Sequence, residues 1–182
     1  MRSTFSFTTD TAALSIFDLQ AIRHRMENTP DWWTIEEDEL EESNYGRILF
    51  LHFENDGTYD VQIMTHIQQP QLSGFLHMPS GQLFIDAAED TTGGDLEPDD
   101  SEAVSGNVWS VRPGVYEVQA TRQQQSIQIA LLWLADTQSA LPNHRLTEAK
   151  ETTTSTKDNV SITSDDVVEH IILNNFNQSL RL

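Results

Sequence analysis

Six histidines stand at positions 24, 52, 66, 77, 144 and 170, and there is no cysteine. No two of the histidines fall in an HxH, HxxxH or HExxH pattern, the spacings that bring two imidazoles to one metal. The sequence therefore predicts no transition-metal site. His52 and His66 fall on neighbouring predicted strands and are the pair expected to approach in space. Hard oxygen ligands are more plentiful. Carboxylates recur at Asp86, Glu89, Asp90, Asp95, Glu97, Asp99, Asp100 and Glu102, and Gly93-Gly94 lets that stretch bend. Calcium takes such oxygens, but these do not follow the alternate positions of the twelve-residue calcium loop or close with its bidentate Glu. A calcium-dependent β-sandwich binding module is the alternative reading of this stretch, and a solvated acidic loop the plainer one.

Acid–base catalysis needs a carboxyl whose pKa is raised by burial. Asp86 is the candidate, because it closes the apolar run Leu83-Phe84-Ile85. No GxSxG, no nucleophile paired with a base and no phosphate-cradling Gly loop accompanies it, and acids flank Gly93-Gly94 and would repel a phosphate. The sequence points to no enzyme, no catalytic residue and no cofactor. Trp32-Trp33, after Pro30-Asp31, is the remaining feature. A Trp pair serves as a binding hot spot on a surface, but the expectation here is that one ring fills the core and the other covers its edge. Trp109 and Trp133 fall in predicted strands and are expected in the core.

The elements that must position these groups are mostly strands. Arg47–Glu54 is apolar and ends at Asn55-Asp56-Gly57, a hairpin signal because those residues tolerate positive φ. Thr58–Ile67 alternates, with Tyr59, Val61 and Ile63 on one face. Leu72–Met78 and Gln82–Ala87 flank Pro79-Ser80-Gly81, and Gly106–Val111 and Val115–Arg122 flank Pro113-Gly114. Gln123-Gln124-Gln125 leads into Ser126–Ala135, where Ile127, Ile129, Leu131 and Trp133 alternate and Leu132 and Leu134 fill the other side. That pattern predicts a central strand covered on both faces over its second half. Six or seven strands on short turns predict a mainly β protein, an antiparallel β-sandwich or partly open barrel, with one or two short helices. Asp18–Asn28, with Leu19, Ile22 and Met26 at helical spacing, predicts one helix. Ser164-Asp165-Asp166 caps a second, through Val167, Val168, Ile171 and Ile172. Residues 1–136 are read as the sandwich domain and 137–182 as a Thr-rich linker, which carries both lysines, followed by a short C-terminal element. The alternative role for that element is assembly, with Val167–Leu182 docking on a neighbour.

Across 182 residues there are 29 Asp and Glu against 10 Lys and Arg, a formal net charge of -19. That balance repels nucleic acid and anionic membranes and attracts a basic protein. With no apolar stretch of membrane-spanning length, no secretory apolar run at the N-terminus and no disulfides, the expected setting is the cytoplasm. From Ile48 to Val111 there is no Lys or Arg while eleven acids fall there. The acids gather in two runs, Glu36–Glu42 and Asp86–Glu102. The expected partner-binding residues are Glu89, Asp90, Asp95, Glu97, Asp99, Asp100 and Glu102 first, and Glu36, Glu37, Asp38 and Glu39 second.

Five segments are similar, taken together, to a family of small bacterial proteins of the kind of the competence nuclease inhibitor ComJ. They are Leu14-Ser15-Ile16-Phe17-Asp18, Trp32-Trp33, Asp56-Gly57-Thr58-Tyr59-Asp60-Val61, Ser80-Gly81-Gln82-Leu83-Phe84-Ile85 and Pro113-Gly114-Val115-Tyr116-Glu117-Val118. The similarity spans about Phe5 to Leu134. It implies a β-sandwich-like immunity or inhibitor protein that neutralises a cognate toxin, possibly a nuclease, whose basic cleft an acidic protein can occupy. It carries over no individual binding residue.

Overall fold

The computed structural model describes residues 3–25, 31–91, 107–136 and 146–147. The chain divides into two compact units, Met1–Ala149 and Lys150–Leu182. The second lies outside the described residues, as does the expected helix at Val167–Ile172. The first unit is mainly β. Its described strands are β1 (Ser3–Thr9), β2 (Ala13–Asp18), β3 (Ile48–His52), β4 (Gly57–Met64), β5 (Leu72–Met78), β6 (Gln82–Ala87), β7 (Asn107–Ser110), β8 (Gly114–Gln123), β9 (Ser126–Ala135) and β10 (Leu146–Thr147). One α-helix, α1 (Glu36–Asn44), is described with them.

The strands make two sheets, ordered β1-β4-β9-β8-β5 and β10-β3-β2-β6-β7. Side chains alternate across a strand, and the two sheets use that alternation differently. Between them lies the main core, with Leu14 and Ile16, Leu49 and Leu51, and Leu83 and Ile85 from the second sheet. Val61, Leu76, Met78, Val118, Ile127 and Ile129 meet them from the first. The opposite parity of β2, β3 and β6 is buried too. Ala13, Phe17, Ile48, Phe50, Phe84 and Ala88 pack with Ile22, Trp32 and Trp33 in a second core. The second sheet is thus apolar on both faces, which is why Ile48–Leu51 reads as an unbroken apolar run.

Most pairs are antiparallel, but β4 runs parallel to β9, with Val61 opposite Ile127, and the two-residue β10 runs parallel to β3. β10 lies in the stretch read from sequence as linker. β9 is central, as its pattern implied, but its second half is not covered on both faces. Trp133 is 38% exposed and Leu134 is exposed. A bulge at Val115/Tyr116 of β8 breaks the register there, and the Arg112 guanidinium lies over the Trp133 ring at 3.9 Å.

Three turns that the sequence marks as reversals carry the chain from one sheet to the other instead of closing hairpins. Asn55-Asp56-Gly57 joins β3 to β4, Pro79-Ser80-Gly81 joins β5 to β6, and Pro113-Gly114 joins β7 to β8. Turn chemistry fixes that the chain bends, but not which sheet receives the next strand. β1 to β2 is a fourth such corner. Each corner is fastened by a polar side chain. The Tyr59 hydroxyl donates to the Asn55 carbonyl, and Tyr116 does the same to Arg112 at 2.6 Å. This is the tyrosine-corner device of sandwich folds. Asp18, fully buried, accepts from Gly81 N at 2.7 Å, Ser80 Oγ at 2.7 Å and Ser80 N at 3.0 Å. Glu89 holds the fourth.

Candidate functional site

Two carboxylate-rich regions cover the outer face of the second sheet or border it. The first is α1. Glu and Leu favour helix, and Glu36, Glu37, Asp38 and Glu39 in the first turn oppose the positive end of the helix dipole, where Ile35 offers no side-chain cap. Gly46, at φ 65°, supplies the left-handed residue that ends the helix. The face that α1 buries is polar: Glu39, Glu42 and Ser43.

Glu42 is 1% exposed. Oε1 accepts from His24 Nε2 at 2.9 Å and Arg25 Nε at 2.9 Å, and Oε2 from Arg47 Nη1 at 3.0 Å. Burial disfavours its charge, but the hydrogen bonds from His24, Arg47 and Arg25 outweigh it and hold the carboxyl below its usual range. Arg25 also reaches Asp38 at 3.0 Å and Glu41 at 3.2 Å, and its guanidinium lies 5.1 Å from the centre of the Trp32 ring. Glu39, 2% exposed, is bonded to His52 Nε2 at 2.9 Å. So His52 meets a carboxylate of α1 and is not placed beside His66, which follows β4 of the other sheet.

The expected helix over Asp18–Asn28 is not formed. Asp18 ends β2, Ile22 enters the second core, and Arg23–Arg25 make a single 3-10 turn that presents Arg25 to α1. Met26–Asn28 lie outside the described residues. Trp32 and Trp33 are both buried, in a 3-10 turn spanning Trp32–Thr34. Trp33 stacks on Phe50 with ring centres 5.6 Å apart, and Trp32 Nε1 donates to the Thr91 carbonyl at 3.3 Å.

The second region starts at Asp86 and continues through the 3-10 turn Ala88–Thr91. Asp86 is 3% exposed and accepts from Ala87 N at 2.8 Å and Asn107 Nδ2 at 3.1 Å. Burial raises its pKa against those bonds. Glu89 accepts from Thr11 Oγ1, from Asp10 N at 2.9 Å and from Thr9 Oγ1 at 3.0 Å, fastening the β1–β2 corner. Burial again works against the charge, and the bonds from Thr11, Asp10 and Thr9 prevail and lower its pKa. Asp90, half-buried, has its Oδ2 shut from water with no hydrogen-bond partner among the described residues.

The expected contact residues therefore divide. Glu39 is buried and committed to His52, so it is not an outward contact, and Glu89 is committed to a corner of the fold. Asp38 is half-buried and bonded to Arg25. Glu37 is exposed and Glu36 half-buried. Asp95, Glu97, Asp99, Asp100 and Glu102 lie outside the described residues. Sequence reasoning missed the role of Glu42. The signal for it is the 39, 42, 43 spacing, one face of a helix, between Arg25 and Arg47. Among the described residues no three His, Asp or Glu side chains gather closely enough to hold a metal ion, and no helix is long and apolar enough to cross a membrane.

These features define a two-sheet, sandwich-like β protein in which a carboxylate-bearing helical layer covers one sheet. The chain belongs to the DUF6386 family, a family of unknown function, whose model matches residues 1–147. Among solved structures it is similar to a chain titled "Crocagin biosynthetic gene J", at 13% identity, covering 72% of this chain and 95% of that one, with a TM-score of 0.44. No curated protein matches.

Proposed function

We propose that this protein is an immunity- or inhibitor-type protein that binds a basic partner, a cognate bacterial toxin, through carboxylates on its surface. The observation that carries this reading is the mounting of α1. Its inner carboxylate Glu42 is neutralised by His24, Arg25 and Arg47, while Glu37 turns its charge to water and the exposed Glu41 shares Arg25 at 3.2 Å. Exposed Ile35 and Tyr45 stand at its two ends. A helix held rigidly from below, acidic outside and flanked by apolar anchors, suits a basic protein surface at low ordering cost. The absence of Lys and Arg from Ile48 to Val111 and the net charge of -19 extend the attractive field. A nuclease, with a basic cleft built for phosphates, is one such toxin. Asp95, Glu97, Asp99, Asp100 and Glu102 are the second proposed contact stretch.

A pull-down at low salt identifies the partner. Against it, the variant Glu36→Gln/Glu37→Gln/Glu41→Gln associates more slowly and with a flatter salt dependence, as does Asp95→Asn/Glu97→Gln/Asp99→Asn/Asp100→Asn. Association rates unchanged in both variants would overturn the reading.

A further inference from the structure

The corner between β3 and β4 holds a pair of residues that can react with each other. Asp56-Gly57 is the one place in the chain where an Asp or Asn is followed by Gly. At such a step the side-chain carboxyl carbon and the next main-chain nitrogen can close a five-membered ring. Every other Asp and Asn is followed by a residue whose side chain crowds that nitrogen.

The fold leaves this pair unguarded. Carboxylates at the other corners are engaged: Asp18 holds Ser80 and Gly81, and Glu89 holds Thr9, Asp10 and Thr11. Asp60, on β4 itself, accepts from Ser6 Oγ at 2.6 Å. Asp56 is exposed, and its carboxylate makes no hydrogen bond or ion pair among the described residues. Gly57 has φ 140°, a value that Gly adopts freely, and a Cβ built on it would meet nothing within 4 Å. No neighbour therefore blocks a turn of the chain at this point. Gly57 also pairs with Thr9 in the last rung of the β1–β4 ladder. Terminal rungs open at the lowest cost, and opening this one frees the Gly57 nitrogen.

We propose that Asp56 is a site of spontaneous backbone isomerisation. The Gly57 nitrogen attacks Cγ of the protonated Asp56 carboxyl. The N–Cγ bond forms, the Cγ–OH bond breaks, and the proton of the nitrogen leaves with the hydroxyl as water. Water then adds to one carbonyl of the cyclic imide. Addition at Cγ restores Asp. Addition at the main-chain carbonyl breaks its bond to nitrogen and leaves the chain running through Cβ and Cγ, an isoaspartyl residue. One water is lost and one regained, so neither an oxidant nor an enzyme is required. The Tyr59 hydroxyl holds the Asn55 carbonyl across this very bond. The methylene added to the main chain falls inside that closed loop and strains the clasp. This reading is independent of whether α1 meets a toxin.

The test is to age the full-length folded protein in mildly acidic and in neutral buffer. Peptides spanning Asn55–Tyr59 are then sequenced by electron-transfer fragmentation, which separates Asp from isoaspartate. The expected result is isoaspartate at position 56, preceded by a species one water lighter and formed faster in the acidic buffer, where more carboxyl is protonated. Asp10, Asp18, Asp60 and Asp86 stay unchanged. Aged wild type melts at a lower temperature than fresh wild type. Asp56→Glu keeps the charge but needs a larger ring, and it abolishes both changes. Absence of isoaspartate at 56 in the folded chain, or its formation only in urea, would overturn the proposal, because the corner would then be holding the two groups apart.

Discussion

Glu42 has one carboxylate shared among His24, Arg25 and Arg47, and its removal leaves Arg25 with Asp38 and Glu41 alone and Arg47 with water. Breaking a buried ion pair from one side costs about 3–5 kcal/mol. His24 and Arg47 keep contact with water, so Glu42→Gln is expected to cost about 2–3 kcal/mol, read as a lower denaturant midpoint with unchanged slope. The pH dependence follows from the same contacts. The Glu42 and Glu89 carboxyls are held below their ordinary 4.5 in the folded chain, so their contribution is present above that value and is lost as pH falls through the folded one. Acid unfolding therefore steepens below about pH 4.5, and Glu42→Gln shallows that limb while leaving the region near pH 6, where the Asp90 carboxyl, pushed up to about 6 by burial and by Asp86 and Glu89, acts with the opposite sign. A melting-temperature series on both proteins checks the pair of slopes.

The four corners set what single elements tolerate. Gly81 has φ 74°, and a Cβ built on it would lie 2.3 Å from the Val111 carbonyl oxygen. Backbone atoms cannot give way cheaply, so Gly81→Ala is expected to cost about 2 kcal/mol or more. Tyr116→Phe keeps the ring and strands only the Arg112 carbonyl, for about 1 kcal/mol. Thermal melts of the two variants should rank in that order. These corners also explain what the sequence made legible. Alternation at Tyr59, Val61 and Ile63, and the apolar run Gln82–Ala87, gave strands whose limits agree with β4 to within a few residues and with β6 outright. Of the five segments on which the resemblance rests, Leu14–Asp18, Asp56–Val61, Ser80–Ile85 and Pro113–Val118 contain the residues that clasp three of the corners, whereas Trp32-Trp33 lies in the second core. What these residues do in the structure is architectural, so they mark no contact surface. α1 escaped notice because its buried face is Glu39, Glu42 and Ser43. A helix that buries polar groups leaves no apolar stripe to read, and its seven-residue acidic run looked like surface charge alone.

Across the whole unit, β2, β3 and β6 contribute to both cores at once. Losing either core removes one wall of the other, so the sandwich and its outer layer should unfold together. Phe50→Ala, in the outer core, and Leu76→Ala, in the inner one, are each expected to cost about 2–5 kcal/mol. Each should shift far-UV circular dichroism and tryptophan fluorescence by the same amount. Divergent midpoints for the two probes would show separate units. The parallel pairing of β4 with β9 has a further consequence, for how the chain is made. During synthesis the second sheet can assemble early, since β2, β3 and β6 are all present by residue 87. The first sheet cannot. β1 and β4 form an isolated ribbon and β5 has no neighbour until β8 and β9, ending at Ala135, leave the ribosome and insert between them. Pairing across such sequence distance is slow, and until it happens the apolar faces of β1, β4 and β5 stay open to other chains. Survival of the nascent protein thus depends on the rate at which one hairpin, β8–β9, finds its slot.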